Sequence, residues 1–193
     1  DIINPLTGLT ETVDIEKFAK EQKDDKIDNF QELINPDEIE QIIIIVFDVS
    51  KCMTGDIKGY IIPKDSDKLS VFSIAYQYAM TFASKIYNYH IPSIQGLISF
   101  SSEVNYLCPL SPYFSDFIEK GLNKLQTTNS SIPNLWDSLD RACKEIIDFR
   151  KDDKGNEKFK YAVSRILIIS SGVDFRFISA PTEIAQKLIQ YKI

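Results

Sequence analysis

The apolar positions of this chain fall into two unbroken runs and several spaced stripes, and the two kinds of pattern predict different elements. Ile42 to Phe47 is a run of six apolar residues, mostly β-branched, with nothing polar between them. A strand with one wet face alternates; an unbroken run fits a strand covered on both faces. The run Ile166-Leu167-Ile168-Ile169 within Arg165 to Ser170 has the same character and suits the middle of a sheet. Between these runs the period changes. Leu69, Phe72, Ala75, Ala79, Phe82, Ala83 and Ile86 recur at three- and four-residue spacing and predict an amphipathic helix. Ile94 to Phe100 reads as a further strand, and Ser101-Ser102-Glu103 is too short a link for a crossover, so Val104 to Cys108 is expected to return antiparallel as an edge.

Further along, Pro109 to Pro112 is expected to end that short strand, and Phe114, Phe117, Ile118, Leu122 and Leu125 make one helical face. Gln126 to Ser131 is a polar loop. Pro133 precedes a helix carrying Leu135, Leu139, Cys143, Ile146 and Ile147 on one side, and the charged stretch Arg150 to Lys160 reads as an exposed loop. Pro181 opens a last helix with Ile184, Ala185, Leu188 and Ile189 expected inward. The order predicts an α/β fold: a doubly wound, mostly parallel, Rossmann-like sheet flanked by helices, with one antiparallel edge strand. Residues 1–40 differ in texture. They are acidic, with turn signals at Asn4-Pro5 and Thr7-Gly8 and sparse apolar positions at Ile15, Phe18, Ile27, Phe30 and Leu33, and they read as a flanking segment with one or two short amphipathic helices ahead of a domain over 41–193.

Composition narrows the function classes. The 193 residues carry a formal net charge of -6, which disfavours sequence-independent binding to nucleic acid or anionic lipid, because both depend on clustered Lys and Arg. No apolar run approaches the roughly 20 residues of a membrane span, and the first residue, Asp1, opens a polar stretch without a signal-peptide pattern. Three cysteines, at 52, 108 and 143, form no CxxC or Cys/His cluster; neither a disulfide framework nor a zinc site is signalled, and an intracellular compartment is expected. No phosphate loop, dinucleotide turn or nucleophile elbow is present, and the single His90 falls in a helix-to-strand connection, at the end of the sheet away from the strand exits. A nucleophilic Asp for phosphotransfer would call for a second acid in its loop, where the position two after Asp48 is Ser50. The expectation is therefore a binding protein without catalytic residues. Four tyrosines at 76, 78, 87 and 89 crowd one helix and its end, so some face solvent or a partner, and Trp136 is expected to anchor its helix against the sheet.

The chemistry-bearing position is Asp48, at the carboxyl end of the first apolar run, where open α/β sheets bind ligands. Four segments in order, Ile45-Val46-Phe47-Asp48-Val49-Ser50-Lys51-Cys52, Gly96-Leu97-Ile98-Ser99-Phe100-Ser101, Leu135-Trp136-Asp137-Ser138-Leu139 and Ile166-Leu167-Ile168-Ile169-Ser170-Ser171-Gly172-Val173-Asp174, resemble the successive landmarks of the von Willebrand factor type A domain, over about residues 40 to 193. The resemblance is to intracellular members, some of them in ubiquitin-pathway proteins, which raises the alternative of a substrate-recruiting part of a ubiquitin-transfer enzyme. It also implies one or two further strand and helix units after the last helix, so the chain is expected to be part of a larger protein. A sheet that ends on the 165–170 strand would expose a long apolar edge.

The resemblance further implies a metal-ion-dependent adhesion site: Asp-x-Ser-x-Ser after the first strand, a Thr in a later loop and an Asp after the fourth strand, together holding Mg²⁺ through oxygen ligands. Asp48 and Ser50 match. Cys52 stands at the second Ser, and a thiol is a poor ligand for a hard ion. Counting back from Trp136 puts the Thr position on Pro133, with Ser130 or Ser131 as replacements if the loop shifts, and the last acidic position falls on Ser171, with Asp174 three residues on. The expectation is a degenerate site without tightly held Mg²⁺, in which Asp48 accepts hydrogen bonds from backbone N–H groups or Ser50. The alternative is weak metal binding through Asp48, Ser50 and Asp174. A protein partner is expected at the loop rim, on Asp48, Ser50, Ser102, Glu103, Asn129, Ser131 and Asp174.

Overall fold

The computed structural model describes residues 2–3, 10–11, 35–55, 70–172 and 180–193. By its contacts the chain divides into two units, Asp1–Leu33 and Ile34–Ile193. In the first, Ile2–Ile3 pairs antiparallel with Thr10–Glu11. The helices expected between Asp14 and Leu33 lie outside the described residues. In the second, Pro36–Glu38 forms a 3-10 turn capped by Asn35, and Ile39 is already buried, so the residues just ahead of the first strand pack on its core.

The second unit runs β1 (Gln41–Asp48), α1 (Val71–Asn88), β2 (Ser93–Phe100), β3 (Val104–Ser111), α2 (Leu135–Phe149), β4 (Val163–Ile169) and α3 (Pro181–Tyr191). The sheet order is β3-β2-β1-β4, with β1 parallel to both neighbours and β3 antiparallel to β2. This is the expected doubly wound α/β architecture. The unbroken run in β1 now has its reason. Side chains alternate across a strand. Ile43, Ile45 and Phe47 pack on one face with Ala75, Ala79, Ala83 and Ile86 of α1, while Ile42, Ile44 and Val46 pack on the other with Ala142 and Ile146 of α2. Each face claims half of the run, and neither half meets water.

Several expectations change. β4 lies at an edge and not in the middle: among the described residues it pairs only with β1, and Ile168 is 45% exposed. Its apolar run arises because Leu167 and Ile169 pack towards α1 and Ile166 towards α2 and α3, even though one side of its ladder is open. β3 continues through Pro109 to Ser111. Proline is tolerated there because the outer edge needs no N–H, and the register shifts between Gln95, Leu97 and Ile98 absorb the irregularity. The segment after β3 is helical but broken into an α turn at Phe114–Asp116, a π turn at Phe117–Gly121 and a 3-10 turn at Leu122–Lys124. Gly121 presses onto the sheet so closely that a Cβ would stand 3.1 Å from both Cys108 Cβ and Leu97 Cδ2. In α3, Ile184 is buried and Leu188 partly so, but Ala185 is exposed and Ile189 is 79% exposed. The helix packs on α2 along a narrow stripe, with Lys187 paired to Asp140, and its other apolar positions stay outside it. Trp136 packs on the Leu139, Cys143 and Ile184 cluster between α2 and α3. Of the four tyrosines, Tyr78 and Tyr89 are exposed, Tyr76 donates towards Asn123, and Tyr87 stacks on Phe114 at 4.8 Å.

The 150–160 loop is not a simple exposed connection. Its first residue, Arg150, is only 16% exposed at its side chain and donates to the carbonyls of Phe159 and Ala162 (both 3.1 Å), to Ser164 Oγ (2.7 Å) and to Glu157. This guanidinium holds the end of α2, the loop and the start of β4 together while Phe159 stacks on Phe149. Arg150→Ala is expected to cost about 3 kcal/mol, since hydrogen bonds to a charged group are worth about 1.5–3 kcal/mol each and the acceptors left behind are half-buried. Urea denaturation of the two chains measures it.

Candidate functional site

β1 ends at Asp48, and the parallel register places its exit beside those of β2 and β4. Asp48 lies opposite Phe100, the Val49 N–H donates to the Phe100 carbonyl at 2.8 Å, and Phe47 lies opposite Ile169. The loop after β1 turns at once into a 3-10 helix, Lys51–Thr54, with Ser50 at its N-cap. A serine there ordinarily caps the helix with its own oxygen. Ser50 does not: the Met53 N–H bonds the Ser50 carbonyl at 3.0 Å, and the Oγ makes no cap bond. A third segment, the polar loop after Leu125, is laced to this one, because the Thr128 N–H donates to the Val49 carbonyl at 2.7 Å and the Lys51 N–H to the Ser130 carbonyl at 2.8 Å. After β4, Gly172 turns the chain at φ +80°, a conformation costly for residues with a side chain.

Asp48 is the centre of this arrangement and has no exposed surface. Its Oδ1 accepts from the Ser50 N–H at 2.9 Å. Its Oδ2 accepts from the Ser171 N–H at 3.1 Å, the Ser171 hydroxyl at 2.8 Å and the Ser170 hydroxyl at 3.3 Å. The expectation that Asp48 accepts from backbone N–H groups at the strand exit is met, with the added partners coming from the exit of β4. Two hydroxyls of the adjoining loops are different. Ser50 Oγ and Thr128 Oγ1 are buried and have no hydrogen-bond partner among the described residues. Orphaned buried hydroxyls are uncommon and ask for a reason.

The metal positions implied by the resemblance can be placed one by one. Cys52 is exposed, and Pro133 is buried without a side-chain oxygen. Ser171 stands where the second carboxylate is implied, and its hydroxyl donates to Asp48. Asp174 lies outside the described residues, and among those residues no three His, Cys, Asp or Glu side chains gather in a way that could hold an ion. Against this, the orphaned oxygens of Ser50 and Thr128 are the hard, uncharged kind that complete a Mg²⁺ shell. Among the described residues the donor set thus holds one carboxylate, engaged at both oxygens, and two hydroxyls without partners.

Thr128 is not reached by counting back from Trp136; its tie to the β1 exit runs through its backbone N–H to the Val49 carbonyl, a bond that carries no sequence signature. Ser130 contributes its carbonyl, not its side chain, to the β1 exit; its Oγ accepts from the Ile132 N–H at 3.3 Å. Among the expected partner residues, Ser102, Glu103, Asn129 and Ser131 are exposed on the rim. Asp48 and Ser50 are corrected: with no exposed surface they organise the rim from beneath and do not offer a contact. His90, exposed and at φ 52°, precedes β2 at the opposite end of the sheet, roughly 23 Å along the strands from the Asp48 exit.

No family model and no curated protein matches this sequence. Solved structures do match, among them a VWA domain. The SpRpn10 VWA domain superposes with a TM-score of 0.53 at 14% identity, over 80% of this chain and 70% of that one. Proximal thread matrix protein 1 of the mussel byssus, in a form with a zinc-occupied metal-ion-dependent adhesion site, gives a TM-score of 0.52 at 16% identity, over 80% of this chain and 36% of that one. The PilB minor pilin of Streptococcus sanguinis gives 0.51 at 16%, over 70% of this chain and 30% of that one. The present chain therefore has a von Willebrand factor type A-like fold, and it spans about a third of the pilin and matrix proteins it superposes on.

Two outcomes follow from the geometry. Asp48→Ala leaves the Ser50 and Ser171 N–H groups and the Ser171 hydroxyl without their acceptor and should cost about 3 kcal/mol or more. Asp48→Asn should recover only part of that, as read by denaturant melts. The three thiols should also separate. Burial, with the Asp116 carboxylate nearby, pushes Cys108 up to about 12, and burial with Asp140 pushes Cys143 up to about 11. Only the exposed Cys52 should react with a thiol reagent at about pH 8 in the folded chain, and all three after unfolding, as counted by mass spectrometry.

Proposed function

We propose that this domain is a protein-interaction module acting inside the cell, not an enzyme, and that its rim engages a protein partner without a tightly held cation. The observation that carries the reading is the occupancy of Asp48 Oδ2 by the N–H and hydroxyl of Ser171. In the implied site the corresponding residue is a second carboxylate, and two facing carboxylates repel unless a cation or a shared proton lies between them. A hydroxyl in that place supplies a donor and removes the repulsion. The contact surface is the set of exposed residues on three loops: Lys51 and Cys52, Ser102 and Glu103, Asn129 and Ser131. These loops are held by hydrogen bonds to the strand exits, so little ordering is left to be done on binding. The three unpaired thiols fit a reducing compartment.

A photocrosslinker attached at Cys52 tests the reading in extracts. A specific partner should be captured equally in EDTA and in Mg²⁺, and capture should fall roughly tenfold on reversing charge at the rim with Glu103→Lys together with Asn129→Arg. Capture that vanishes in EDTA and returns with Mg²⁺ contradicts it. The second reading, weak cation binding, is favoured by one observation, the unpartnered Ser50 and Thr128 hydroxyls. Calorimetric titration with Mg²⁺ and Mn²⁺ separates the two: heat at millimolar metal supports the second, and its absence the first.

A further inference from the structure

We infer that Ser171 is the residue that makes this site independent of metal, and that the remaining oxygens form a latent half-cage which one carboxylate at position 171 would complete. The inference deepens the reading of a cation-free rim and rests on it. Three observations combine. The first is geometric: Ser171 places both of its donors on one oxygen of Asp48, N–H at 3.1 Å and Oγ at 2.8 Å, and so fastens the β4 exit to the β1 exit. A cation shared by two carboxylates would fasten the same two loops. The second is the state of the neighbouring hydroxyls. Ser50 Oγ gives up the N-cap bond that its position offers, and Thr128 Oγ1 is buried on a loop tied to Val49; neither has a partner among the described residues. Buried hydroxyls without partners are unusual, and oxygens of this kind are able to complete a Mg²⁺ shell once a second carboxylate is present. The third is charge. The charge of the single carboxylate is stabilised by four donor contacts, and the second carboxylate that would strengthen the attraction for a divalent ion is replaced by Ser171.

The inference assigns opposite roles to residues that look alike. Ser171 is a fastening residue, whose loss loosens the rim. Ser50 and Thr128 are idle in the present chain and become ligands only when a second carboxylate arrives. Neither assignment follows from composition or from the loop sequences, since all three are small hydroxyl residues.

The test uses the full chain and needs no partner. Thermal unfolding and calorimetry are run in EDTA, in MgCl₂ and in MnCl₂ on the unaltered chain, on Ser171→Ala, on Ser171→Asp, and on Ser171→Asp combined with Ser50→Ala and Thr128→Val. The unaltered chain should melt at the same temperature in all three buffers. Ser171→Ala should melt lower in all three, with no rescue by metal. Ser171→Asp should melt lowest in EDTA, because it sets a second carboxylate against Asp48, and should be restored by either ion, with affinity roughly tenfold or more above that of the unaltered chain. The combined variant should lose the restoration while keeping the weakness in EDTA. An unaltered chain stabilised by Mg²⁺ as strongly as Ser171→Asp overturns the inference, as does a folded Ser171→Asp chain that ignores both ions. Should Ser171→Asp fail to fold in any buffer, Ser171→Ala decides alone: a melting temperature equal to that of the unaltered chain overturns the fastening role, and a lower one supports it. The failure of the interaction reading would show instead in the crosslinking at Cys52, which these melts do not involve.

Discussion

A carboxylate with no exposed surface imposes the strictest demand on this molecule. Asp48 sits at the one point where three strand exits converge, and burying it there is tolerable only if donors converge with it. They come from its own loop, through the Ser50 N–H, and from the β4 exit, through Ser170 and Ser171. The consequences reach outward. Meeting Asp48 requires Gly172 to turn the chain immediately after Ser171, and it draws the β1 loop into a position where Val49 and Lys51 engage the loop of Thr128 and Ser130. The rim that a partner would meet is thus ordered by a group that the partner never touches.

The same convergence explains why the site departs from the ion-binding pattern without losing its shape. In the implied motif a cation and two carboxylates hold the loops together; here one carboxylate and a hydroxyl do so with hydrogen bonds. The orphaned hydroxyls of Ser50 and Thr128 mark where the two solutions differ. The pattern of satisfied and unsatisfied oxygens is therefore more informative about chemistry than the fold. The fold is shared at 14–17% identity with proteins as different as a VWA domain, a byssus matrix protein and a minor pilin.

Legibility in the sequence was uneven, for physical reasons that individual elements make plain. Ile42 to Phe47 could be placed in the interior of the sheet because burial on both faces demands apolar residues at every position, a demand that writes itself into consecutive letters. The run in β4 misled for the same reason: its faces are partly covered although one edge of its ladder is open, and side-chain identity reports on faces, not on hydrogen-bonding edges. Helix α3 showed the converse, since Ile189 keeps the helical period yet its side chain is largely exposed. Arg150 was read as a solvated charge because its acceptors, the carbonyls of Phe159 and Ala162, are backbone groups that carry no sequence signature.

The sequence by itself determined the alternation of strands and helices, the interior position of β1 and the presence of a carboxylate at its exit, because local period and strand-end chemistry are written in neighbouring residues. Only the tertiary structure decided what that carboxylate does. Ser171 lies 123 residues from Asp48, and the loop of Thr128 meets the β1 exit through backbone hydrogen bonds that carry no sequence signature. Whether a hydroxyl donates, coordinates or stands idle depends on which oxygen faces it across space. That relation appears when the sheet brings the β1 and β4 exits together, and nowhere earlier.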